Sequence, residues 1–240
     1  KVFLDMGEGN DRFDTDQGDH TVIGGPGNDS LTTYAGKKDV DMGEGDDYVG
    51  LNDGSYATRA LMGAGDDEFN GASSTKPGPD TVDGGPGNDH LDTSAGNDTI
   101  TDLEGNNTVY AGLGDDTITT GPGSDESRGD DGNDTLTDAG NNGEGRVGWG
   151  PDQRMWGGAG NDTITVNGST PVEDNVTGDE GNDVIRAGNG PQSIQGGEGA
   201  DDIDGGAGAD RINGGNGDDT VRGGDGDDTV QGGDGTNVLF

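Results

Sequence analysis

Read in steps of nine, residues 178–240 give GDEGNDVIR, AGNGPQSIQ, GGEGADDID, GGAGADRIN, GGNGDDTVR, GGDGDDTVQ and GGDGTNVLF. Seven consecutive units, without a gap, follow one pattern, G-G-x-G-x-D-x-U-x, in which U is a large apolar residue. A fixed period of this length marks a repeat architecture, in which a unit cannot bury its apolar face alone and stacking on neighbours closes the core. Flexible acidic turns have no reason to keep such a period.

Working outward, the same frame covers most of the chain. Residues 6–50 hold five units, MGEGNDRFD, TDQGDHTVI, GGPGNDSLT, TYAGKKDVD and MGEGDDYVG, and residues 1–5 fit as the tail of another. A longer, degenerate unit occupies 51–61, MGAGDDEFN follows from Met62, and about seven more units run from 75 to 137 after a short insertion at 71–74. Residues 138–156 are the least regular and contain both tryptophans, Trp149 and Trp156. A unit resumes at Gly157, and extra residues at 166–168 precede the opening stretch. No linker and no second composition interrupts this, so a single repeat domain is expected over 1–240.

Composition alone argues for disorder. Of 240 residues 54 are glycine, only 24% are hydrophobic, and the formal charge is −38. So little apolar surface does not offset chain entropy. Order therefore has to come from glycines at fixed offsets and from a cation that cancels the aspartates recurring in one repeat position. There is no cysteine, hence no disulfide or thiolate metal site. No run approaches the roughly 20 apolar residues of a membrane-spanning helix. Twelve basic residues against fifty acids disfavour nucleic acid or direct membrane insertion as partners.

The repeat resembles that of the repeats-in-toxin (RTX) family of secreted bacterial proteins. The resemblance implies an all-β fold, a right-handed parallel β-roll of about 13 two-repeat coils, in which six residues of each unit make a turn and three make a short strand. Glycine at positions 1, 2 and 4 suits turns that need positive φ or close backbone approach. Only the middle residue of x-U-x faces inward, because strand side chains alternate. The predicted core is a column of such residues on each face, from Phe13, Val22 and Leu31 to Ile212, Val221, Val230 and Leu239, with Ser127 as a weak point. At about 4.8 Å per strand the rod would be roughly 60 Å long.

The resemblance also implies calcium ions held between stacked turns by position-6 aspartates 18 residues apart. It pairs Asp11 with Asp29, Asp29 with Asp47, Asp80 with Asp98, Asp98 with Asp116 and Asp116 with Asp134. Towards the end of the chain it pairs Asp183 with Asp201, Asp201 with Asp219, and Asp210 with Asp228. Asp67, Asp89, Asp125 and Asp162 complete the expected ligand set, with backbone carbonyls of the glycine-rich turns. Calcium takes six to eight oxygens of these kinds, and about 15–20 ions would nearly cancel the net charge. Extracellular calcium modules bind at about 0.1–1 mM, which suits folding after export.

The pattern fails in places. Counting in 18-residue steps, position 6 on one edge of the first coils reads Val2, His20, Lys38 and Tyr56. That edge is expected to lack calcium, with the Lys38 ammonium near the turn carbonyls in place of an ion. His20, Lys37, Lys38 and Arg59 concentrate base there, by repeat decay or for a partner. Gln192 and Asn237, and more mildly Asn107, should weaken their sites. Trp149 and Trp156 read either as cover for a core irregularity or as a contact patch.

Only His20 and His90 are available for acid–base work, and neither H-E-x-x-H nor G-x-S-x-G occurs, so no enzyme is expected. The leading expectation is an extracellular calcium-stabilised rod acting in adhesion, matrix or head-to-tail assembly, on a bacterial surface or exported by type I secretion. Apolar residues at both ends, Val2, Phe3 and Leu4 against Val238, Leu239 and Phe240, make end-to-end stacking the sharper form. The alternatives are the secretion and folding region of a larger exoenzyme or toxin and, third, an ice-binding solenoid. The last rests on threonines flanking Ile100, Ile118 and Leu136, although threonine is an ordinary exposed strand residue.

Overall fold

The computed structural model describes residues 1–52, 56–72, 78–140, 153–167 and 173–240. Every regular element among them is a short strand, and successive strands alternate between two sheets of 13 and 12 strands, apart from a minor pair, Ala207–Gly208 with Asp225–Gly226. All neighbours pair parallel, so the chain winds as a solenoid of about twelve turns, the β-roll expected from the repeat. Among the described residues no helix is long and apolar enough to cross a membrane.

The ladder shows why nine residues suffice. Ile100 lies opposite Ile118, and Ile194 opposite Ile212, two units apart. Glycine is needed where the turns stack. Gly197 and Gly199 have φ of 125° and 127°, and a methyl on either would strike the carbonyl oxygen of Asp179 or Gly181 in the preceding coil. Position 2 also accepts aspartate in the left-handed region, as Asp130 (φ 69°) and Asp179 (φ 75°) show.

Inserted residues do not break the ladder. Coil-to-coil contacts bridge 20, 22, 28 and 21 residues as readily as 18. Thus Val40 pairs with Ala60, Ala60 with Val82, and Leu136 with Ile164. Two segments expected to be irregular are partly regular: Thr58–Ala64 and Gln153–Ala159 are seven-residue strands in register with their neighbours. The remaining parts of the expected irregular segments, and Trp149, fall largely outside the described residues.

The core is wider than one column. In Lys38–Glu44 the buried residues are Lys38, Val40 and Met42, so positions 6, 8 and the following position 1 all face inward. Met42, Met62, Ala111 and Val166 fill position 1 and join Val22, Leu31, Ile100, Ile185 and Ile203 in one buried cluster. Phe13, Val230 and Leu239, expected inside, are exposed or half-buried because the end coils have a neighbour on one side only. Each buried apolar side chain contributes about 1.5–3 kcal/mol. Ordering two or three backbone residues, at about 1–2 kcal/mol each, offsets that gain. Coil-to-coil polar contacts therefore decide the stability.

Candidate metal sites

Position 6 stands just before or at the start of each strand with its side chain pointing inward. Of the sixteen expected ligands, Asp11 and Asp228 on the end coils are half-buried, and the other fourteen are buried. One carboxylate oxygen is used structurally. The Asp29 amide donates to Asp47 Oδ1 at 2.7 Å, Asp98 to Asp116 at 2.6 Å, and Asp183 to Asp201 at 2.9 Å. All eight expected pairs make this contact. It also crosses insertions, from Asp47 to Asp67, Asp67 to Asp89, Asp134 to Asp162 and Asp162 to Asp183.

The second oxygen is left over. Oδ2 of Asp47, Asp98, Asp134, Asp183, Asp201 and Asp219, among others, is buried without a hydrogen-bond partner. Where position 1 is glycine, as in the units of Asp134, Asp183, Asp201 and Asp219, these oxygens converge with carbonyls over it. A methyl on Gly178 would meet Asp183 Oδ2 and, at 2.5 Å, the carbonyl oxygen of Gly196; on Gly214 it would meet Asp219 Oδ2 and the Gly232 oxygen at 2.5 Å. Burial pushes the Asp47 and Asp116 carboxyls up to about 7, opposed by the amide each accepts and reinforced by neighbouring aspartates. Asp134, Asp183 and Asp201 rise to about 6 for the same reasons.

Departures from aspartate reveal what the pocket requires. Lys38, 3% exposed, donates from Nζ to the carbonyl oxygens of Gly18 (2.8 Å), Tyr34 (2.7 Å) and Gly36 (3.0 Å). Its ammonium thus sits among turn carbonyls, as expected, and burial lowers its pKa while Asp19 raises it. His20 Nε2 lies 3.1 Å from the Asp16 oxygen. Gln153 Nε2 donates to Gly121 O, to Gly123 O at 3.2 Å and to Asp125 Oδ2 at 3.2 Å. The amides of Gln192, Asn237 and Asn107 turn to Asn189, Gly233 and Glu104 oxygens. Lys38, Gln153, Gln192, Asn237 and Asn107 thus each bring an N–H donor to backbone carbonyls. At Asp47, Asp134, Asp183, Asp201 and Asp219, by contrast, no donor reaches Oδ2.

A buried pocket of carboxylate and carbonyl oxygens fits a hard cation such as calcium. Among the described residues no group of three or more His, Cys, Asp and Glu converges, so the backbone has to supply much of any coordination shell.

Four positions differ from the expected pattern. Thr58, not Tyr56, continues the edge of Val2, His20 and Lys38, because extra residues precede it; Tyr56 is 48% exposed. Asp174 takes position 6 two residues before Val176 and accepts from the Gln153 amide at 3.2 Å. Inserted residues in the count hid it, although an acid two residues before a buried valine was a usable signal. Asp102 and Asp138 are buried at position 1, where the repeat calls for glycine.

On the outer face, Thr99, Thr117, Thr135 and Thr163 form one file and Thr101, Thr119, Thr137 and Thr165 another. Met155 fills the core, and the Arg128 guanidinium lies over the Trp156 ring at 4.6 Å.

A family model described as RTX calcium-binding nonapeptide repeat (4 copies) matches residues 18–49, 74–100, 101–136 and 152–169, and in overlapping copies 173–190, 177–212, 187–221 and 204–239. No curated protein matches the chain. Among solved structures, one titled as a hyperactive, Ca2+-dependent, beta-helical antifreeze protein from an Antarctic bacterium is 24% identical with a TM-score of 0.37. That match covers 98% of this chain and 65% of the other, so the chain spans less than two thirds of that structure.

Proposed function

Because the chain belongs to the RTX calcium-binding nonapeptide repeat family, we propose that it is an extracellular structural rod of bacterial origin, rigidified by calcium between its coils. Members of this family are typically secreted bacterial proteins. The observation that carries the proposal is the run of buried carboxylate oxygens without partners, set among turn carbonyls. Those acceptors repel one another until a cation joins them. The position-6 aspartates, with Asp174 added, would each contribute to the ions on either side. About 15–20 ions would bring the chain near neutrality. The acids serve as ligands in this reading, and no catalytic role is assigned to them.

The rod would act in adhesion or matrix, and its ends offer a way to assemble. Phe3 (63%) and Phe240 (72%) are the most exposed large apolar residues of the two end coils, which also present unpaired strand edges, Val2–Asp5 and Val238–Leu239. Head-to-tail stacking covers both and need not close. Circular dichroism should show strand content that rises with calcium, and electron microscopy in millimolar calcium should show rods longer than one chain. Strand content unchanged by excess chelator would sink the calcium reading. Monomeric rods would sink assembly alone, in favour of an accessory region within a larger exoenzyme or toxin.

A second reading, ice binding, is favoured by the two threonine files, which run through four coils in register. Thermal hysteresis is its test.

A further inference from the structure

Asp102 lies where the repeat calls for glycine, and its surroundings differ from those of the ordinary sites. It is 0% exposed, and both of its carboxylate oxygens are buried without a hydrogen-bond partner. Asp89 Oδ2, facing it from the preceding coil, is also buried and unpartnered. The two oxygens flank one small space: a methyl on Gly84 would stand 2.5 Å from Asp102 Oδ2 and 2.7 Å from Asp89 Oδ2. Calcium–oxygen bonds are about 2.3–2.6 Å, so one ion can touch both.

The unit that contains Asp102 has the neutral Asn107 at position 6. Asn107 keeps the structural half of the usual role, since its Oδ1 accepts from the Asp89 amide at 3.1 Å and its own amide donates to Asp125 at 2.8 Å. It lacks the charge. Asp102, five residues earlier in the same turn, supplies a carboxylate to the same buried joint.

We propose that Asp102 and Asp89 form a calcium site of a second type, in which the carboxylate has moved from position 6 to position 1 of the repeat while an amide holds the coil contact. The proposal rests on the reading of the aspartate pockets as calcium sites. A comparison within the chain sharpens it. Asp138 also occupies position 1 of a unit with an amide, Gln153, at position 6. There Gln153 Nε2 reaches Asp138 Oδ1 at 3.5 Å and Asp125 Oδ2 at 3.2 Å, so an N–H donor already lies among the acceptors. At Asp102 both oxygens are without such a donor, and a cation takes its place.

Native mass spectrometry of the full chain in saturating calcium tests this by counting ions, with folding followed by circular dichroism. Asp102→Asn should bind one ion fewer than the unaltered chain. The double variant Asp102→Gly/Asn107→Asp, which restores the ordinary arrangement, should return to the full count. Should Asp102→Asn fail to fold, the double variant decides alone: a folded protein with the full count supports the exchange, and one that does not fold or stays an ion short overturns it. An unchanged count in folded Asp102→Asn also overturns it and assigns Asp102 a shared proton instead. An unaltered chain that retains no calcium would overturn the reading of the ordinary pockets, a result separate from these.

Discussion

The amide of Asp183 donates to Oδ1 of Asp201 at 2.9 Å, while Oδ2 of Asp201 is buried without a partner. One carboxylate thus does two separable jobs, holding the preceding coil by a hydrogen bond and offering charge to a cation. Asp201→Asn keeps the acceptor and removes the charge; Asp201→Ala removes both. Calcium titrations followed by circular dichroism should show a higher midpoint for both variants. Thermal unfolding at saturating calcium should show Asp201→Ala less stable than Asp201→Asn by about 1–3 kcal/mol, from the stranded Asp183 amide. Equal stability of the two would remove the hydrogen bond from the account.

Lys38 should behave as an ion that cannot be chelated. Replacing it by methionine strands the carbonyls of Gly18, Tyr34 and Gly36. A loss of at least about 1–3 kcal/mol at saturating calcium follows, for which added calcium gives no recovery. Lys38→Asp should recover part of that loss, and only when calcium is present. Thermal unfolding at several calcium concentrations distinguishes the two.

Acid should substitute in part for calcium. The carboxyls of Asp47, Asp80 and Asp116 are raised by burial to about 7, and those of Asp98, Asp183 and Asp201 to about 6, from an ordinary 3.8. Between those limits the folded, metal-free chain binds more protons than the unfolded one, so its stability is greatest below about 4 and falls as pH rises through 6 to 7. In excess chelator, strand content should therefore increase from pH 7 to pH 5. Calcium affinity should decline over the same interval, because protons compete for the ligands. Strand content that is flat with pH in chelator would contradict this.

Ser127 interrupts the apolar column between Val109 and Met155, is 1% exposed, and leaves its hydroxyl unpaired. Ser127→Val should stabilise the calcium-loaded chain by about 1–2 kcal/mol, since larger residues occupy the same column on both sides. A lower melting temperature for this variant would show that the coil is closed around serine.

Much was legible in the sequence because the repeat is local. The nine-residue period placed Asp98, Asp116 and Asp134 on one edge and Asp29 and Asp47 on the other, and a lysine in an acidic turn announced the bound ammonium. Where the period slipped, counting failed: Tyr56 was expected at a position that Thr58 fills, and Asp174 was overlooked behind an insertion. Position 1 was read as glycine serving the turn, so its inward direction, and with it Met42, Met62 and Asp102, was missed.

The sequence by itself determined the nine-residue repeat, and through the family it resembles that repeat implied the parallel solenoid, the aspartate edges and the kind of ion they suit. Only the tertiary structure decided which coils join across insertions, as Asp134 joins Asp162 over 28 residues, and that Asp102 faces Asp89. The physical reason is that backbone hydrogen bonds between coils set the register in space, whatever number of inserted residues separates two strands in sequence. A count along the chain includes those residues; the ladder does not.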